Sequence, residues 1–125
     1  MPPTKKPASA LRSFCPIAGC LDLLGDRWTL LVIRDLCRGL QRYGEFAASP
    51  EGIPTNILAE RLVRLEKSGL ITSEAYQKNP VRYAYRLTPK GQALKPVLAA
   101  LGQWGAQHVP GTKIPPEMMA TMGER

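Results

Sequence analysis

Apolar side chains recur along this chain with two different periods, and each change of period marks a new element. Ile17, Cys20, Leu21 and Leu24 fall at i, i+3, i+4 and i+7 behind Pro16, which suits a first helical turn, and Gly25 closes that helix. Asp26 then offers a side-chain cap to a second helix. Its buried face is Trp28, Leu31, Val32, Asp35 and Leu36, up to Arg38-Gly39, and Cys37 lies in or beside the core. A carboxylate on such a face requires a cationic partner for Asp35. A short third helix from Arg42 to Ala48 places Tyr43, Phe46 and Ala47 together and stops at the turn cluster Ser49-Pro50-Glu51-Gly52.

The stretch from Pro54 to Gly69 is the most informative amphipathic helix. Ile57, Leu58, Leu62 and Leu65 form its core side; Asn56, Glu60, Val63 and Lys67, flanked by Thr55 and Arg64, form the other. After it the period drops to two. Leu70 to Tyr76 and Val81 to Thr88 flank the turn Gln77-Lys78-Asn79-Pro80, which predicts a hairpin. Val81, Tyr83, Tyr85 and Leu87 are expected to face the helices, with Arg82 and Arg86 toward solvent. The last element begins with Thr88 as cap and Pro89 at its first position. Its stripe of Leu94, Val97, Leu98, Leu101, Trp104 and His108 runs for roughly four turns, longer than a small domain needs, and so implies a partner helix. Pro96 is expected to bend this helix near Gln92 without ending it. The predicted fold is mainly α with a small antiparallel β-wing: two helices with a short turn between them, then a hairpin, which is a winged helix-turn-helix.

Composition narrows the partner. The 125 residues suffice for one core, and a formal charge of +7 favours an acidic partner. Residues 1–13, with three prolines, Lys5, Lys6 and Arg12, read as a flexible basic arm, 14–108 as the domain and 109–125 as a loose tail. Within that tail Glu117 to Met122 has the composition of a short apolar helix that would cover a dimer. No apolar run approaches the ~20 residues of a membrane span, nor does the N-terminus resemble a secretory signal, so a cytoplasmic, nucleoid-associated protein is expected. Cys15, Cys20 and Cys37 include no CxxC pair, and His108 is the lone histidine, so neither a metal nor any other cofactor is assigned. The same scarcity gives no catalytic residues and argues against an enzyme.

In this order the segments CPIAGCLDLLGDRWTLLVIRDL, RYGEF, GIPTNILAERLVRLEKSGLI and PVRYAYRLTPKGQALKPVLAALGQWG, spanning about Cys15 to His108, resemble the HxlR-type transcriptional regulators, which are related to the MarR group. The resemblance implies a homodimer built by the first and last helices, through Ile17, Leu21, Leu94, Val97, Leu98, Leu101 and Trp104, on an inverted-repeat operator in double-stranded DNA. Two symmetric recognition helices about one duplex turn (~34 Å) apart demand such a palindrome.

Thr55 and Asn56 are the expected readers at the N-terminal end of the recognition helix. Arg64, Lys67 and Arg42 are expected to hold phosphates and Arg82 to reach a minor groove from the wing tip, where Lys78 is a further DNA-binding candidate. Arg61 is open between DNA and an internal pair with a carboxylate such as Asp35.

Cys15 precedes Pro16 at a helix start, where unpaired amides favour a thiolate. By sequence register it matches the cysteine of redox- or electrophile-sensing members, although a small residue buried at the dimer seam fits the position too. Cys20 is expected on a buried, quieter face. The effector is left unspecified. The alternative to DNA is a winged-helix interaction module with an acidic protein partner.

Overall fold

The computed structural model describes residues 12–115, so most of the basic arm and the Glu117 to Met122 stretch lie outside the described residues. Helices α1 (Pro16–Leu24), α2 (Thr29–Cys37), α3 (Tyr43–Ala47) and α4 (Thr55–Lys67) precede strands β1 (Ile71–Lys78) and β2 (Val81–Leu87); α5 (Pro89–Gln92) and α6 (Lys95–His108) follow. The winged helix-turn-helix is therefore present, with α3 and α4 as the paired helices and β1-β2 as the antiparallel wing.

The core is organised on α2. Val32, Ile33, Leu36 and Cys37 are all buried, as are Thr29 and Asp35, so the helix is enclosed on more than the one face that its strongest periodicity marked. Leu58, Leu62 and Leu65 of α4, Phe46 of α3, Leu70 and Ile71 at the wing base and Leu98 of α6 complete the cluster. Asp35 gains the expected cationic partners: Arg34 bonds it at 2.9 Å, Arg38 stands 3.7 Å away, and the Ser49 hydroxyl donates to its other oxygen. Arg34 also grips Glu51 through two 2.8 Å bonds, fastening the α3–α4 turn to α2.

The exit from α4 fixes the wing. Gly69 takes a left-handed backbone (φ 79°), and the Leu70 amide returns to the Leu65 carbonyl at 3.0 Å, closing the helix in a Schellman motif. Thr88 then bonds back across the base, its amide to Leu70 O and its hydroxyl to Gly69 O. A side chain on Gly91 would collide with the Leu70 carbonyl, which explains glycine at that buried position.

Three expectations need correction. The last helix is interrupted, not bent: Ala93-Leu94 forms a turn between α5 and α6, and Pro96 falls in the first turn of α6, where a missing donor costs nothing. Of the four alternating residues of β2 only Tyr85 and Leu87 approach the core; Val81 and Tyr83 are exposed because the distal half of the hairpin projects beyond the helices. Cys20 is exposed in the protomer, since α1 buries only Leu24 and turns Ile17 and Leu21 outward.

Candidate nucleic-acid interface

The outer side of α4 exposes Thr55, Asn56, Glu60, Val63 and Lys67 in the protomer. Its first turn carries no acidic residue, so the free amides there keep their attraction for anions. The Tyr43 hydroxyl donates to the Thr55 carbonyl at 2.7 Å, tying the start of α3 to the start of α4. Arg42, the residue before α3, shares a cap with Glu45, whose carboxylate accepts from the Gln41 and Arg42 amides at 2.8 and 3.0 Å. Those bonds hold the Glu45 carboxyl below its ordinary range.

The same connector joins the sheet. Arg42 makes a β-bridge to Ala84, and the Tyr85 amide donates to Gln41 O at 2.8 Å. Opposite it the register slips between Ala75 and Gln77, leaving Tyr76 as a bulge residue. The bulge aims Tyr76 at the Arg42 guanidinium, 4.2 Å from the ring centre. A groove of about 370 Å³ results, lined by Arg42, Tyr43, Tyr76, Val81, Arg82 and Tyr83 among others. Arg42, Tyr43 and Arg82 thus line one groove, and the Tyr43 hydroxyl ties its edge to Thr55. None of Tyr43, Tyr76 and Tyr83 was expected on this surface: Tyr43 and Tyr83 read by their periods as packed positions, and Tyr76 leaves the alternation at the bulge.

The remaining basic positions divide. Lys67 and Lys78 are exposed, and Arg82 has no carboxylate within salt-bridge reach among the described residues. Arg64 leans back toward Leu23 O at 3.4 Å and is half-buried. Arg61 is held internally, and its partner is Asp26 at 2.9 Å, with Glu60 beside it, instead of Asp35. Asp35 is already saturated by Arg34 and Ser49 in another part of the core, while the α1–α2 turn brings Asp26 over α4. Asp26 also caps α2, accepting from the Trp28 and Thr29 amides at 3.0 and 3.2 Å and from the Thr29 hydroxyl. Burial would raise its carboxyl; the bonds from Thr29, Arg61 and Trp28 outweigh that and hold it far below the ordinary carboxylate range.

Residues 23–113 match the family described as HxlR-like helix-turn-helix, nearly the whole of the described domain. The chain belongs to that family. An uncharacterized HTH-type transcriptional regulator of Mycobacterium tuberculosis is 38% identical to this HxlR-like chain over 100 residues, 80% of the chain but 63% of the relative. The chain thus spans less than two thirds of the mycobacterial relatives. The Bacillus subtilis regulator YvaP is 34% identical, over 76% of this chain and 89% of its own. Among solved structures, PA1607 is 39% identical with a TM-score of 0.73, covering 86% of this chain and 75% of that one. YodB from Bacillus subtilis in its reduced form is 32% identical (TM-score 0.64; 81% and 100% covered). The redox regulator HypR in its reduced form is 27% identical (TM-score 0.70; 77% and 95% covered).

Cys15 stands exposed at the head of α1, its amide accepted by Ser13 Oγ at 3.1 Å. Ile17 and Leu21 on α1, and Val97, Leu101 and Trp104 on α6, are 48–69% exposed in the protomer. Leu98 is buried within the protomer and Leu94 half-buried against the same core, so neither offers its apolar surface outward. No helix among the described residues is long and apolar enough to cross a membrane, and no group of three His, Cys, Asp or Glu side chains is gathered there to hold a metal.

Proposed function

We propose that this chain is a sequence-specific DNA-binding transcriptional regulator that acts as a homodimer on an inverted-repeat operator. The observation that carries this reading is the groove that Arg42 and Tyr43 share with the wing, its edge tied by the Tyr43 hydroxyl to the N-terminal end of α4. Thr55 and Asn56 enter the major groove, while Arg42, Lys67 and Lys78 meet phosphates and Arg82 follows the neighbouring minor groove. Arg61 acts from inside by pinning α4 to the α1–α2 turn, and Arg64 braces the boundary with α1. The apolar outer faces of α1 and α6 pair with those of a second copy, through Ile17, Leu21, Val97, Leu101 and Trp104. The family's regulators and the +7 charge both favour DNA over an acidic protein partner.

Cys15 is the thiol through which an oxidant or electrophile would act. The likeness to the redox regulator HypR supports this reading, as does exposure of the residue on the same helix as Ile17 and Leu21. A modified Cys15 would alter how the two α1 helices meet and so the spacing of the recognition helices. Footprinting of the purified chain on its source genome tests the whole reading. The expected result is a protected inverted repeat whose half-sites lie about one turn (~34 Å) apart. Protection should be lost in the Thr55→Ala/Asn56→Ala variant and altered by diamide only when Cys15 is present. Absence of protection anywhere in the genome overturns the DNA reading; an oxidant response unchanged in Cys15→Ser overturns the sensing role.

A further inference from the structure

A second concavity, of about 640 Å³, lies between α2, the α3–α4 turn, the C-terminal half of α6 and the segment after it, and shares no lining residue with the wing groove. Its volume falls within the roughly 300–1,000 Å³ of small-molecule sites. The outer wall is fastened: Thr112 Oγ1 lies 2.7 Å from Val109 O and 3.0 Å from Gly105 O, and Ile114 packs over Gly102. Leu31, Val109 and Ile114 contribute apolar surface.

The charges around it do not balance. Glu51 is taken by both ends of Arg34, and buried Asp35 behind the wall by Arg34 and Ser49. Arg38 stands 3.7 Å from Asp35, too far for a hydrogen bond, and one third of its side chain is exposed. Lys113 has no carboxylate within salt-bridge distance among the described residues. Among the described residues three cations, Arg34, Arg38 and Lys113, therefore stand against two carboxylates, and Arg38 and Lys113 keep donors to offer. An apolar slot with unused cationic donors complements an anion that has an apolar body.

We propose that this groove binds a small organic carboxylate, its acid group between Arg38 and Lys113 and its apolar body against Leu31, Val109 and Ile114. Occupancy reaches the DNA-facing surface through the Arg34–Glu51 pair, because Glu51 belongs to the turn that leads into buried Ile53 and then Thr55. This coupling rests on the DNA-binding reading, whereas the binding itself does not.

Calorimetric titration of the purified full chain with 3-phenylpropionate and with uncharged 3-phenylpropanol, in the absence of DNA, tests the site. The carboxylate should bind at least about ten-fold tighter than the alcohol, and Arg38→Gln and Lys113→Gln should each weaken it about ten-fold. Gly105→Leu should abolish binding while preserving the melting temperature, since a side chain built there meets no atom within 4 Å and projects into open space. Equal binding of the alcohol overturns the assignment, as does carboxylate binding indifferent to Arg38→Gln and Gly105→Leu. So does a lack of heat with phenylpropionate, benzoate and octanoate, accompanied by a change of oligomeric state in Gly105→Leu, which would give the groove to a second copy of the chain. Fluorescence anisotropy on footprinted DNA reads the coupling separately. Saturating 3-phenylpropionate should shift affinity by about ten-fold, and an unchanged affinity removes the coupling. Failure of the free protein to bind any DNA would count against the preceding reading, leaving the titration result intact.

Discussion

Two helices of similar length, α4 with 13 residues and α6 with 14, each carry an apolar stripe and bury it differently. In α4 Leu58, Leu62 and Leu65 are at most 2% exposed, enclosed by the other elements of the same protomer. In α6 Leu98 alone is buried, and Val97, Leu101 and Trp104 keep about half their surface in water. A periodic stripe announces a face that must be covered; what covers it depends on how much neighbouring chain is within reach. For α4 that is α2, α3 and the wing base. For the outer side of α6 the protomer supplies nothing among its described residues.

The strongest way to break this contrast is to truncate one leucine from each helix. Leu58→Ala should cost about 4 kcal/mol in denaturant unfolding, because it leaves a cavity in a fully enclosed site. Leu101→Ala should change the stability of the dilute protomer by no more than about 0.5 kcal/mol, while weakening self-association in sedimentation. Equal losses from the two substitutions would erase the distinction. Next in size is Asp35→Ala, which should cost about 3 kcal/mol because it strips a buried ion pair of one member. A loss near zero would show that the unit around α4 depends on its leucines alone.

A finer comparison lies within α4 itself, between its internal and external cations. Arg61→Ala should destabilise by about 1.5 kcal/mol, since Asp26 loses a charged partner. Lys67→Ala should leave melting unchanged and reduce the salt slope of DNA binding by about one. The reverse pattern would exchange their roles. Smallest is the acid response of Asp26. Its carboxyl is depressed in the folded state, so its contribution is complete above the ordinary value of 3.8 and is lost as pH falls toward the depressed one. Below about pH 5, Asp26→Asn should therefore lose stability less steeply than the parent chain when melted at successive pH values; parallel slopes would remove the linkage.

The sequence was most legible where a local signal is self-contained. Gly25, Asp26, Thr88-Pro89 and the Asn79-Pro80 turn announced element ends from a few neighbouring residues, and the structure places those ends close by. It was least legible where the deciding contact is distant. Arg61 and Asp26 are 35 positions apart, and periodicity says which side of a helix a residue occupies without naming its partner. Pro96 is compatible with both a kinked helix and a fresh start, and the choice fell to Gly91, whose close approach to Leu70 anchors α5 on the wing base. The tyrosine groove was hidden for a similar reason: Tyr76 leaves the alternating pattern at a bulge, and Gln41-Arg42 is too short a strand to show a period.

The backbone joins at the base of the wing have a metrical consequence. β1 issues from α4 through Gly69-Leu70, and β2 is bridged to Arg42 at the head of α3, so the hairpin is clamped to both helices of the motif. The reach from Asn56 to Arg82 then behaves as a ruler whose length is counted in strand residues. Extending each strand by one residue would invert every side chain beyond the insertion. Extending each by two preserves the faces and carries Arg82 outward by about 7 Å. On the proposed DNA-binding reading, the span of duplex within reach of such a protomer is thereby adjustable only in discrete steps of two.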